Sequence, residues 1–172
     1  GRQTNLSSYD TNLNVKELMF YSFLIALLLF TPLAESKPRS KVITLQRTVC
    51  YGTCPEYQLT IFSDGAVVYE GISSVKKEGL AKGGISPKKL QDLISEFDKI
   101  HYFNLEDNYT PGNKVCPESM TDMPSAITSL TRNGKTKTIT HYHGCRGLKT
   151  LELLTQLENK VDAAVNIRQW TE

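Results

Sequence analysis

Apolar residues along this 172-residue chain change period several times, and each change marks an element. Val42-Ile43-Thr44-Leu45-Gln46-Arg47 alternates apolar and polar side chains, the two-residue period of a half-buried strand. Tyr57, Leu59 and Ile61 alternate with Gln58 and Thr60 in the same way. Asp64-Gly65 then signals a turn into a returning strand over Ala66 to Glu70. The side-chain faces choose the length of that turn. A two-residue loop at Asp64-Gly65 sets Ile61 against Val68 and Leu59 against Glu70. A three-residue loop, Ser63-Asp64-Gly65, sets Ile61 against Val67 and Leu59 against Tyr69, which gathers one apolar face and gives Gly65 the left-handed position. The three-residue loop is the expected one.

Residues 72–85 are rich in glycine and lysine and predict no more than a fraying extra strand. Ser86-Pro87 supplies an N-cap followed by proline at the first helical position, and Leu90, Leu93, Ile94 and Phe97 share one helix face. From Tyr102 to Pro124 periodicity disappears. A loop of about 20 residues in a compact domain is usually functional or pinned, and Cys116 is the obvious pin. A second hairpin runs from Ala126 to Arg132, turns at Asn133-Gly134 and returns over Lys135 to His143. A last helix, from about Leu148 to Val165, carries Leu151, Leu154, Leu157 and Val161 on one stripe, and Trp170 closes the chain. The economical architecture is α+β: an antiparallel β-sheet of two β-hairpins plus an N-terminal strand, with two α-helices packed on one face.

The front of the chain stands apart. Residues 20–30 form a largely apolar run, followed by Pro32 and the small-x-small triplet Ala34-Glu35-Ser36. That order predicts an N-terminal leader over 1–36 with a signal peptide cleaved after Ser36, ahead of a single domain over 37–172. A membrane span needs about 20 apolar residues, so no stable span is expected after cleavage. The basic flank is weak, with Lys16 offset by Glu17, and an uncleaved signal anchor is the alternative. Residues 37–172 hold 18 basic and 15 acidic side chains, a net charge of +3. The basic residues are scattered rather than striped, which argues against nucleic acid as a partner.

Four cysteines, Cys50, Cys54, Cys116 and Cys145, are expected to pair in an oxidising compartment. Cys50-Tyr51-Gly52-Thr53-Cys54-Pro55 alone leaves three chemistries open: a structural disulfide, a redox pair or half a metal site. Redox enzymes place C-x-x-C at a helix N-terminus, whereas this pair has one residue more and leads into a strand, so a structural bridge is preferred. His141, His143 and Cys145 alternate along one strand face, a pattern two imidazoles and a thiol could use for a metal, with His101 as a possible fourth ligand. They also share parity with Ile139, and aromatics at the core margin is the plainer reading. Asp122, on the long loop, is more simply a residue that caps its own backbone. No hydrolase signature is present, so no catalytic residue, cofactor or metal is assigned.

With Cys50-Tyr51-Gly52-Thr53-Cys54-Pro55-x-Tyr57, then Ile61-x-x-Asp64-Gly65-x-Val67-x-Tyr69-x-Gly71, the chain resembles a bacterial family of unknown function. Its members are small domains built around a C-[FY]-G-x-C-P-x-Y core, often behind a signal peptide or lipoprotein signal. Thr121-Asp122-x-Pro124 and His141-Tyr142-x-Gly144-Cys145 match later motifs of that family, and the resemblance spans roughly residues 42–170. It implies no activity, ligand or catalytic residue. Some relatives keep the first two cysteines without the later two, which implies the pairings Cys50–Cys54 and Cys116–Cys145. The resulting expectation is an exported, periplasmic or secreted, disulfide-stabilised module that is not an enzyme and binds a protein or cell-envelope component. Its surface would include Tyr51, Tyr109, Asp122, His141 and His143 on or beside the 102–124 and CYGTCP loops. The alternative is a thiol-redox or metal-binding enzyme using Cys50 and Cys54 or His141 and His143.

Overall fold

Alternating side chains build the sheet strand by strand. The structure, a computed structural model, describes residues 38–172; the leader with its apolar run and the cleavage point after Ser36 lie outside the described residues. β1 (Lys41–Arg47) lies at the centre, flanked on one side by β2 (Glu56–Phe62), β3 (Ala66–Ser73) and β4 (Gly79–Gly84). On the other side come β7 (Ser125–Arg132), β8 (Lys135–Tyr142) and the two-residue β5 (Asn108–Tyr109). All neighbours are antiparallel except β5, which runs parallel to β8. Ile61 pairs with Val67 and Leu59 with Tyr69, the register of the three-residue turn. Gly65 adopts φ +81°, and a Cβ there would run into the Ile85 carbonyl.

One face of the sheet is apolar and covered by helices. Ile43, Leu45, Leu59, Ile61, Val67, Tyr69, Leu130 and Ile139 are buried beneath α1 (Pro87–Lys99) and α2 (Lys149–Ala164). α1 starts where Ser86 Oγ accepts a hydrogen bond from Lys89 N–H at 3.2 Å, and it contributes Leu90, Leu93 and Phe97. α2 contributes Leu151, Leu154, Leu157 and Val161. The fold is α+β, as the pattern predicts.

Three segments are more ordered than the sequence suggests. Within residues 72–85, β4 is a full six-residue edge strand paired from Gly71↔Gly79 to Ala66↔Gly84. A short third helix, α3 (Arg168–Thr171), turns Trp170 onto it, so that the indole stacks on Tyr69 at 4.8 Å and lies against Gly83. The 102–124 segment contains a 3₁₀ turn (Tyr102–Asn104), β5, and β6 (Glu118–Ser119), which pairs with β9 (Cys145–Arg146). Among the described residues, no helix is long and apolar enough to cross a membrane.

Candidate functional site

Toward one end of the sheet the buried stripes turn polar. Ile43 and Leu45 are followed on the same face by Arg47, Ile61 and Leu59 are preceded by Tyr57, and Ile139 is followed by His141 and His143. The facing stripe of α2 does the same: Glu158 and Asp162 stand among Leu154, Leu157 and Val161. Glu158 is fully buried, and its Oε1 meets His141 Nδ1 at 2.8 Å while its Oε2 meets His143 Nε2 at 2.7 Å. Arg47 Nη1 donates to Glu158 Oε2 at 3.2 Å and Nη2 donates to Asp162 Oδ2 at 2.8 Å and to Asn159 Oδ1 at 3.2 Å. Tyr57 Oη donates to Asp162 Oδ1 at 2.6 Å, so the network reaches from β1 and β2 through α2 to β8.

Electrostatics in this network follow from burial and pairing. Burial alone would raise the Glu158 pKa, but hydrogen bonds from His141 and His143, with the Arg47 charge, hold it below its ordinary range. Burial raises the Asp162 pKa, and Arg47 and Tyr57 offset this only in part. The Tyr57 phenol is pushed far up by burial and by the Asp162 charge. Burial works against the Arg47 charge, yet Asp162 and Glu158 raise its pKa overall. Two carboxylates, Glu158 and Asp162, share one guanidinium, Arg47.

The same end of the sheet carries both disulfides. Cys50 pairs with Cys54 and Cys116 with Cys145, with Cα separations of 5.6 and 5.1 Å. Cys54 runs through Pro55 into β2 rather than into a helix, so this pair lacks the dipole that activates redox thiols. The two loops are tied together: Tyr51 N–H donates to the Asp122 carbonyl at 3.1 Å, and Ser125 N–H donates to Thr48 Oγ1 at 2.8 Å. Tyr142 Oη donates to the Met120 carbonyl at 2.8 Å and accepts from Met123 N–H at 3.1 Å. Three apolar side chains remain in water on this rim: Tyr51 at 89% exposure, Val49 at 56% and Met120 at 52%.

The five residues expected to form a binding surface therefore separate. Tyr51 and Asp122 are exposed and adjacent, and Asp122 has φ +67°. Tyr109 is buried in β5, and His141 is buried against Glu158, so neither offers surface to a partner. His143 is half-buried. His101, exposed after α1, stands outside the His141, His143 and Glu158 cluster, and Cys145 is occupied by its disulfide. The histidines do more than fill the core margin, because the pattern Ile139-His141-His143 meets Glu158 in α2. The missed residues are Arg47, Glu158 and Asp162. Arg47 had a signal, its parity with Ile43 and Leu45. Glu158 had a weaker one, a carboxylate framed by Leu154 and Val161.

A family model described as a domain of unknown function (DUF6438) matches residues 41–165, which span β1 to the end of α2 and hold every residue of the polar network and both disulfides. No curated protein matches the chain. The chain belongs to this family of domains of unknown function, DUF6438.

Proposed function

We propose that this domain is an exported, non-enzymatic module that binds a protein or a cell-envelope component through the disulfide-closed end of its sheet. One observation carries the reading: the Tyr51 side chain stands 89% exposed on a five-residue loop closed by Cys50–Cys54 and hydrogen-bonded to the neighbouring Asp122 segment. A loop whose backbone is already fixed loses little conformational entropy on binding, and tyrosine is enriched among the residues that anchor interfaces. Val49 and Met120 supply apolar area beside it. All four cysteines paired, behind a leader with an apolar run and a small-x-small triplet, support an oxidising compartment outside the cytoplasm.

The test is a photo-reactive phenylalanine analogue placed at position 51 of the full chain in producing cells. A discrete cross-linked adduct that Met120→Asp suppresses is expected, with none when the same probe replaces Lys135 in the far hairpin. Equal labelling at both positions, or no adduct at 51, removes the reading. Export is read separately, from whether the mature chain begins at Lys37.

A further inference from the structure

We propose that His141 and His143 form a binding site for one divalent transition-metal ion of the zinc class, with Glu158 fixing both rings from behind. A carboxylate only accepts hydrogen bonds, so each imidazole points an N–H at Glu158: Nδ1–H from His141 at 2.8 Å and Nε2–H from His143 at 2.7 Å. In a neutral ring the opposite nitrogen then carries a lone pair. These atoms are Nε2 of His141 and Nδ1 of His143, and neither makes a hydrogen bond among the described residues. The rings stand side by side, with centroids 4.7 Å apart and planes tilted by 33°. Both line a cavity of about 460 Å³. Carboxylate-backed histidines that line one cavity are an arrangement in which proteins present imidazole to zinc, and one ligand atom from each of His141, His143 and Glu158 lies within 4.8 Å of the others.

Behind the rings Glu158 and Asp162 outnumber Arg47 by one, while on the cavity wall Arg146 and Lys149 outnumber Glu152 by one. Arg47 Nη1 lies 3.2 Å from both His143 Nε2 and Glu158 Oε2; with the Nε2 proton given to Glu158, the guanidinium donates to Oε2 instead. Cys145 is excluded as a ligand by its disulfide, and Arg146, Lys149, Glu152 and Thr155 share the cavity wall. Two protein nitrogens leave coordination positions to water or to an anionic group drawn by Arg146 and Lys149. The site is independent of the Tyr51 rim and stands or falls separately from it.

The experiment uses the full chain with both disulfides formed, titrated with Zn²⁺ calorimetrically and with Co²⁺ by visible absorption. One ion per chain is expected, with the Co²⁺ spectrum of a low-coordinate nitrogen site. His143→Ala, at the half-buried position, weakens Zn²⁺ binding at least tenfold while tryptophan fluorescence stays native, and His101→Ala leaves binding unchanged. Imidazole ¹⁵N spectra of the unaltered chain supply a reading that needs no variant: Zn²⁺ shifts Nε2 of His141 and Nδ1 of His143. Absence of saturable binding, equal affinity in His143→Ala, loss in His101→Ala, or shifts at the two nitrogens facing Glu158 would each overturn the proposal.

Discussion

At the scale of single residues, buried polar groups decide where this core is strong and where it is weak. Tyr69 is fully buried and its hydroxyl has no hydrogen-bond partner among the described residues. The ring earns its place by stacking between Trp170 and Tyr57, while the hydroxyl only costs desolvation. Tyr69→Phe is therefore expected to raise stability by about 1 kcal/mol, read as a higher urea midpoint at unchanged slope. Glu158 is the opposite case. Glu158→Gln leaves Arg47 paired with Asp162 but takes away the carboxylate that accepts from both imidazoles, and it is expected to cost about 1–3 kcal/mol at pH 7. Its pKa is lowered on folding, so the stability it contributes is present above its ordinary value of 4.5 and is lost as pH falls through the lower folded value. Asp162 has the reverse sign, its raised pKa making protonation favour the folded state. The gap between the chain and Glu158→Gln should accordingly narrow between pH 7 and pH 3 in paired urea titrations. A constant gap would show that the carboxylate charge is not what Glu158 supplies.

At the scale of elements, the two disulfides divide the labour unequally. Closing a four-residue separation removes less entropy from the unfolded chain than closing one of 29. Replacing Cys50 and Cys54 by serine is expected to cost about 2 kcal/mol, and replacing Cys116 and Cys145 about 3.5 kcal/mol, in matched denaturant curves. The second pair also keeps β6 against β9, so its loss should expose the amides around residues 116–124 to hydrogen exchange. Elements whose information is local were legible in the sequence. The Leu59/Tyr69 register follows from face parity, and α1 begins at the Ser86 cap because cap and proline sit together. β4 was not legible, since what orders its glycines is an indole from the far end of the chain. The polar network was legible only in halves: His141 and His143 show a pattern, whereas nothing sets Glu158 apart from Glu152 and Asp162 in the same helix until the fold brings it to His141.

At the scale of the whole molecule, the helix Arg168–Thr171 covers one side of the core with Trp170. Trp170 is the only tryptophan, it packs on Tyr69 and Gly83, and its carbonyl accepts from Lys77 N–H at 2.8 Å. Trp170→Ala is expected to cost about 3–5 kcal/mol and to loosen β4 first. That variant loses its fluorophore, so far-UV circular dichroism must follow its unfolding, with hydrogen exchange reporting on residues 79–84. A uniform loss of protection across the sheet would instead place Trp170 in the common core.

The span of the Arg47 contacts also sets an order of events. Arg47 and Tyr57 emerge early in synthesis, yet the carboxylates that bind them are at 158 and 162. A ribosome making this chain releases Arg47 111 residues before Glu158, and Tyr57 105 residues before Asp162. Until α2 appears, Arg47 and Tyr57 lack the carboxylates that bind them, and this end of the sheet stays wet and charged. Arrival of α2, rather than of any strand before it, is what closes this end of the domain.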